Sequence, residues 1–125
     1  ANLIQRMRPH TNGLNVSALA KFGGVAALAD RAGQERVRTK TIELRKKIPA
    51  ELERHGYSVI PSQGNFFMVH IHAPVTTAIG QFRERGILVG RPFPPMLEHL
   101  RVSIGTDEEM ERFLAAFKEI FPKRA

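Results

Sequence analysis

Residues 100–121 have the sequence LRVSIGTDEEMERFLAAFKEIF, in which a strand pattern is followed directly by a helix pattern. Leu100–Ile104 alternates apolar and polar side chains, which is the period of a strand with one buried face. Thr106 and Glu109 have the spacing of a capping box, in which each side chain accepts a hydrogen bond from the other residue's backbone N–H. The stretch therefore predicts a strand, a turn and a helix that begins after Thr106.

The helix after Thr106 carries an apolar stripe at helical spacing. Its members are Met110, Phe113, Leu114, Phe117, Ile120 and Phe121. A stripe of methionine and phenylalanine is far more often a packed core face than a cofactor site. We therefore predict that this face packs against the sheet.

Two further helices are predicted upstream. Asn15 or Ser17 can cap a helix that runs through Ala29, because both side chains accept hydrogen bonds from free backbone N–H groups. Its small residues predict a closely packed partner. They are Ala18, Ala20, Gly23, Gly24, Ala26 and Ala27.

The second of these helices is expected from about Gln34 to His55, with Gly56 as its C-terminal glycine. Pro49 is expected to kink or restart it, because proline lacks a backbone N–H. The predicted inner stripe consists of Val37, Thr41, Leu44, Ile48 and Leu52.

The remaining strands and the short helix between them complete the predicted fold. Strands are expected at residues 57–60, 66–71 and 87–89, and a helix at residues 76–85. The order of elements predicts an α+β fold, with helices packed on one face of a small, largely antiparallel sheet. With 125 residues, the chain is expected to form one domain, in which residues 1–30 are an N-terminal helical connecting segment.

Composition excludes several classes of protein. The chain has no cysteine, which excludes disulfides and thiolate metal sites and fits a reducing compartment, so a cytoplasmic location is expected. No apolar run approaches the roughly 20 residues that a membrane-spanning helix needs.

The net charge of +7 raises the alternative of a small basic nucleic-acid-binding module. The basic residues concerned are Arg36, Arg38, Lys40, Arg45, Lys46 and Lys47. Glutamates interrupt this cluster, and it lacks the interleaved aromatic side chains on which bases stack. A solvated helix face is therefore favoured over a nucleic-acid surface.

No complete catalytic or metal site can be assembled from local spacing. His70 and His72 would point to opposite faces of one strand, while His10, His55 and His99 are isolated in sequence. Metal sites need convergent ligands, so no metal ion is assigned. The serines lie in no nucleophile-elbow pattern, so no catalytic residue is assigned either.

Arg101 and Arg91 are the candidate binding residues. Arg101 lies within an otherwise apolar strand, where a guanidinium is costly to bury unless a planar anion receives it. The alternative is an arginine on the solvent face of that strand, which alternation alone favours. Arg91 begins the proline-rich loop at residues 91–95, and loop stiffness favours neither a binding role nor simple exposure.

Four segments resemble the small domain of one enzyme family. Residues 100–109 are similar to the strand, turn and capped helix near the C-terminus of histidinol-phosphate aminotransferases, which are class I/II, fold-type I enzymes dependent on pyridoxal phosphate. The other three segments are Asn15–Ala20, Pro61–Phe67 and Arg85–Phe93. They follow one another in the family's order and, with residues 100–109, are distributed along residues 15–109 of the chain.

The resemblance implies roles that spacing alone does not. Arg101 would bind the substrate carboxylate, and Arg91 the substrate's other anionic end, such as a phosphate. The family's Schiff-base lysine, in a Ser-Lys motif, has no counterpart here, so we expect the chain to be an inactive piece of a larger enzyme. That enzyme would hold pyridoxal 5'-phosphate in a large domain, act on an amino acid or amino phosphate, and be a homodimer.

Overall fold

The computed structural model describes residues 2–10 and 16–124, which form two compact units, residues 1–36 and 37–125. The described residues form both helices and strands. They are α1 (Asn2–Met7), a 3-10 helix (Arg8–His10), α2 (Ala18–Ala29), α3 (Arg31–Arg54), β1 (Val59–Ile60), β2 (Phe66–His70), α4 (Val75–Glu84), β3 (His99–Ser103) and α5 (Asp107–Ile120). None of the described helices is long and apolar enough to cross a membrane.

Within the first unit, α2 begins as predicted at Ser17, whose Oγ accepts a hydrogen bond from the Ala20 backbone N–H at 3.2 Å. The other predicted cap, Asn15, lies outside the described residues. The close packing predicted from the small residues of α2 is absent among the described residues. A Cβ added to Gly23 or Gly24 would meet no atom within 4 Å, and none of the helix's residues is buried.

The second unit contains an antiparallel sheet of three strands in the order β1-β2-β3. Phe67 pairs with Val102 and Val69 with Leu100, and these four buried side chains form its inner face. Buried residues of α3, α4 and α5 join the same core. The predicted α+β fold with helices on one sheet face is therefore confirmed.

The predicted cap and apolar stripe of α5 are also confirmed. The Glu109 N–H donates to Thr106 Oγ1 at 3.3 Å, and the Thr106 N–H donates to Glu109 Oε2 at 2.8 Å. These two bonds satisfy backbone donors that an uncapped helix would leave free. Met110, Phe113 and Phe117 are buried against the sheet side of the core.

The inner stripe of α3 begins later than predicted. Leu44, Ile48 and Leu52 are buried, but Val37 is 68% exposed, so its placement in the stripe was wrong. Lys40 pairs with Asp107, the first residue of α5, so Val37 lies beyond the start of the helix that covers α3.

α3 begins three residues earlier than predicted, at Arg31, and Pro49 does not interrupt it. Pro49 does not end or restart α3, which is continuous to Arg54. Burial of Ile48 and Leu52 on either side holds this stretch in the core despite the missing N–H. Gly56 follows with φ +91°, a backbone conformation that favours glycine and confirms the predicted end.

The strand predicted at residues 87–89 is not formed. The Gly90 N–H, directly after this segment, donates to the Arg101 carbonyl at 2.9 Å, but residues 87–89 form no ladder with β3. Leu88 is 83% exposed, so the apolar run that suggested a buried strand does not reach the core as a whole.

Candidate functional site

Within the second unit, β2 and β3 have an open face, on the side of the sheet away from α4, α5 and the buried residues of α3. Its side chains alternate with the buried ones and are partly exposed. They are Phe66, Met68 and His70 of β2 and His99 and Arg101 of β3. Arg101 pairs with Met68 across the two strands. Its position is therefore the one that the alternation of residues 100–104 predicts.

Two aromatic rings cover the Arg101 side chain on this open face. Its guanidinium carbon Cζ lies 4.2 Å from the centre of the Phe66 ring and 5.1 Å from the centre of the Phe93 ring. Both distances are within the range of a cation–π interaction. The solvent-face hypothesis is thus right about the face, but the side chain is half-buried rather than free in water.

One atom of the Arg101 guanidinium lacks a hydrogen-bond partner. Its Nε is buried, and no described residue accepts a hydrogen bond from it. A buried donor without a partner costs about 1–3 kcal/mol, more when the group is charged. An anionic ligand that accepts from this atom would remove that cost, and it would reach the atom by displacing part of the cover that buries it.

Arg91 also contacts Phe93, one of the two rings that cover Arg101. Its Cζ lies 4.1 Å from the centre of the Phe93 ring, and its Nη1 donates to the Pro92 carbonyl at 3.2 Å. The structure therefore brings both predicted arginines to one place, although Arg91 is exposed.

Sequence reasoning did not assign Phe66 or Phe93 to the site. Phe66 lies two residues from Met68, so the same alternation that places Arg101 on the open face also places Phe66 there. The alternation in β2 was therefore sufficient to place Phe66 on Arg101's face of the sheet. Phe93 lies in the irregular loop at residues 91–95, and no periodic pattern predicts the path of such a loop.

Gly90 lets this loop approach β3 closely. A Cβ added at Gly90 would lie 2.9 Å from the Arg101 carbonyl oxygen and 2.9 Å from its Cβ. Real Cβ atoms almost never come so close to a backbone atom, so the glycine keeps the loop against the strand that carries Arg101.

We expect Gly90→Ala to lower the free energy of unfolding by about 1–3 kcal/mol, because the new methyl group has no room. Gly80→Ala is the matched control. Gly80 lies in α4 with nothing within 4 Å of an added Cβ, so alanine there should stabilise the chain by about 0.5–1 kcal/mol. Urea unfolding followed by circular dichroism measures both changes, and equal effects of the two variants would contradict the steric explanation.

Three histidines gather at the other end of the open face. The His70 ring lies 4.0 Å from that of His72 and 4.7 Å from that of His99, measured between ring centres. The prediction that His70 and His72 point to opposite faces was wrong, because residues two positions apart in a strand share a face. In addition, β2 ends at His70, and His72 has φ +53°. His99, which is isolated in sequence, lies beside His70 in the folded chain. Among the described residues, no group of three potential ligands has the geometry to hold a metal ion.

The surroundings of this cluster disfavour protonation of two imidazoles. Burial lowers the pKa of His99, and the charge of His70 adds to that effect, whereas Glu98 acts in the opposite direction. The pKa of His72 is also lowered, first by desolvation and then by His70 and Arg124. Glu98 accepts a hydrogen bond from the His70 imidazole at 3.2 Å.

We expect the free energy of unfolding to fall as the pH drops below about 6.5, the ordinary histidine pKa. Below that pH the unfolded chain takes up protons that the folded His72 and His99 resist, so the stability present above it is lost. The measurement is urea unfolding at a series of pH values between neutral and mildly acidic. The double variant His72→Gln, His99→Gln should flatten this dependence, while His10→Gln, at an exposed position, should not change it.

At least three of the six residues in the basic cluster of α3 contact other groups within the second unit. Lys40 pairs with Asp107 at 2.9 Å and with Glu43 at 3.5 Å, and Lys47 lies 4.0 Å from Glu111. Arg45 donates to the carbonyls of residues 63 and 64. These carboxylates lower the positive potential of the helix, which does not favour a nucleic-acid surface.

Comparison with known proteins identifies the family. A sequence model of the family described as aminotransferase class I and II matches residues 1–117. The chain belongs to this family. A histidinol-phosphate aminotransferase 2 of Rhizobium meliloti (strain 1021) is 37% identical over 120 residues, which are 94% of this chain and 34% of that protein. A histidinol-phosphate aminotransferase of Geobacter sp. (strain M21) is 39% identical over 123 residues, covering 97% of this chain and 34% of that protein.

A solved structure of the family has the same fold. Histidinol-phosphate aminotransferase from Sinorhizobium meliloti, in complex with pyridoxal-5'-phosphate, matches with a TM-score of 0.75 and 25% identity. The match covers 93% of this chain and 33% of that chain. The chain thus spans about a third of the length of the relatives it matches.

The described contacts of the Arg101 side chain do not include groups that would hold pyridoxal phosphate, the cofactor in that solved structure. The described contacts of its side chain are two phenylalanine rings, and none of them is a lysine or a carboxylate that could hold pyridoxal phosphate. Lys40, Lys47 and Lys118 instead pair with carboxylates on helices.

Proposed function

We propose that this chain is the substrate-binding small domain of an aminotransferase that depends on pyridoxal phosphate. The parent enzyme would transfer an amino group between an amino acid or histidinol phosphate and a 2-oxo acid. The observation that carries the proposal is the buried, unpartnered Nε of Arg101, in a chain of this family. Residues 1–125 would form its C-terminal domain, with residues 1–30 as the connecting segment.

Arg101 would bind the carboxylate of the substrate. A guanidinium presents its N–H donors in a planar fork that matches the two oxygens of a carboxylate. Phe66 and Phe93 exclude water from part of that fork, and this strengthens the interaction with a negative charge. Holding one end of the substrate reduces the entropy that is lost when its amine reaches the reacting position.

Arg91 would bind the second anionic group of a substrate that has one, such as a phosphate. Its guanidinium is exposed, and its described hydrogen bond uses only Nη1, so other N–H groups remain for a ligand. An exposed cation contributes less binding energy than a half-buried one because water screens it. Arg101 is therefore expected to contribute more to affinity than Arg91.

The cofactor would be bound by other parts of the parent enzyme. Pyridoxal phosphate supplies the electron-withdrawing chemistry that labilises bonds at the amine-bearing carbon of the substrate. The lysine and the phosphate ligands that hold it would lie in a large domain, among the two thirds of the relatives that this chain does not span. On this proposal the chain alone is inactive, and the parent enzyme is a homodimer.

The test is the absorbance spectrum of the full-length gene product with pyridoxal phosphate, repeated after addition of candidate amino donors. We expect a band from the bound cofactor that amino donors bleach, and a large loss of donor affinity in Arg101→Ala. Arg83→Ala, at an exposed position of α4, is the matched control and should bind donors like the wild type. If no donor bleaches the band, or if both variants behave alike, the proposed function is wrong.

A further inference from the structure

The two arginines of the site share one aromatic ring. The Cζ atoms of Arg91 and Arg101 lie 4.1 Å and 5.1 Å from the centre of the Phe93 ring. The distance between the two guanidinium carbons therefore cannot exceed the sum of those two lengths. We propose that Phe93 is a positioning residue that sets the spacing of the two guanidiniums, and with it the selectivity for substrates with two anionic groups. This inference rests on the proposed function.

The backbone around Phe93 is held by hydrogen bonds of its own. The Met96 N–H donates to the Phe93 carbonyl at 2.8 Å, and the Leu97 N–H donates to the Pro95 carbonyl at 2.9 Å. Proline at positions 94 and 95 further restricts the chain. The loop thus presents the ring from a constrained backbone, as a positioning role requires.

Phe66 contacts only one of the two arginines. It lies in β2, where it pairs with Ser103 of β3, and its ring centre lies 4.2 Å from the Arg101 Cζ. The sheet therefore fixes Phe66 relative to Arg101, whereas Phe93 links Arg101 to the separate segment that carries Arg91. Loss of Phe66 should affect every substrate that uses Arg101, and loss of Phe93 should affect two-anion substrates most.

The interaction requires an aromatic ring and not merely an apolar one. The face of an aromatic ring is electronegative and attracts a guanidinium, while a leucine side chain covers similar area without this attraction. Phe93→Leu therefore keeps most of the apolar cover but removes the attraction that orients both cations. Phe93→Tyr retains it and serves as the rescue variant.

The first test follows the guanidinium directly in the full-length gene product labelled with 15N-arginine. The Nε–H resonance of Arg101, assigned by its disappearance in Arg101→Lys, should be shifted upfield by the ring currents of the two phenylalanines. Phe93→Leu should move it toward the position of exposed arginines, and Phe93→Tyr should leave it nearly unchanged. An unchanged resonance in Phe93→Leu would overturn the positioning role, whether or not the enzyme is active.

The second test compares amino donors with one and with two anionic groups. Phe93→Leu should raise KM about tenfold for a two-anion donor and much less for a one-anion donor, with kcat nearly unchanged. Phe66→Leu should raise KM for both donors to a similar extent, and Phe93→Tyr should restore the wild-type preference. Equal KM changes for the two donors in Phe93→Leu, or a change confined to kcat, would overturn the role in selectivity. Failure of every donor with the wild-type enzyme would instead refute the proposed function, and the resonance test would still decide the positioning role.

Discussion

Arg101→Lys is expected to raise the dissociation constant of the amino donor about 10- to 100-fold, and Arg101→Ala about 100- to 1000-fold. A hydrogen bond to a charged group is worth about 1.5–3 kcal/mol, and each 1.4 kcal/mol corresponds to about tenfold in affinity. Lysine keeps the positive charge but loses the planar fork and the stacking between Phe66 and Phe93. Donor titration of the full-length gene product, followed by bleaching of the cofactor band, measures both constants.

The donor affinities of Arg101→Lys and Arg101→Ala, compared with each other, separate the role of the charge from that of the planar fork. If lysine binds the donor as well as arginine does, charge alone is sufficient and the fork geometry has no role. If Arg101→Ala binds the donor as tightly as Arg101→Lys does, the positive charge at this position contributes nothing to binding. Urea unfolding of both variants checks that the effect on binding does not come from loss of the fold.

Phe117→Ala is expected to lower the free energy of unfolding by about 3–5 kcal/mol. The side chain is fully buried at the centre of the core. Its ring centre lies 4.8 Å from that of Phe121, 5.0 Å from that of Tyr57 and 5.8 Å from that of Phe113. Removal of the ring leaves a cavity that these neighbours fill only in part. The loss is large beside the 5–15 kcal/mol total that is typical of a folded protein.

Urea unfolding of the 125-residue chain, followed by circular dichroism, measures this change. Leu88→Ala is the control, because Leu88 is 83% exposed and its truncation should change stability by no more than about 0.5 kcal/mol. Similar losses in the two variants would show that the Phe117 ring does not form part of a tightly packed core.

Local patterns predicted much of the fold, because they depend on neighbours in sequence. The capping box at Thr106 and Glu109 is formed, and Gly56 follows the end of α3 with a positive φ. The alternation in residues 100–104 placed Arg101 on the open face of a strand. In each case the deciding interaction joins residues a few positions apart, so spacing alone is informative.

The predictions that were wrong concern residues whose burial or strand pairing depends on segments distant in sequence. Val37 fits the apolar stripe of α3 but lies beyond the start of α5, so nothing in that helix's own sequence shows that it is exposed. The apolar run at residues 87–89 resembles a strand, yet only one hydrogen bond, from Gly90, joins it to β3. Strand formation requires a partner ladder, which periodicity cannot supply.

The sequence by itself determined the α+β class, the capped final helix, the family resemblance and the choice of Arg101 and Arg91, because all of these follow from local spacing or from motifs in order. Only the tertiary structure placed Phe93 beside both arginines, gathered His70, His72 and His99 at one end of the open face, and left the Arg101 Nε buried without a partner. These features join an irregular loop, a strand end and separate strands. Their geometry is set by how the chain packs, and no pattern in sequence carries that information.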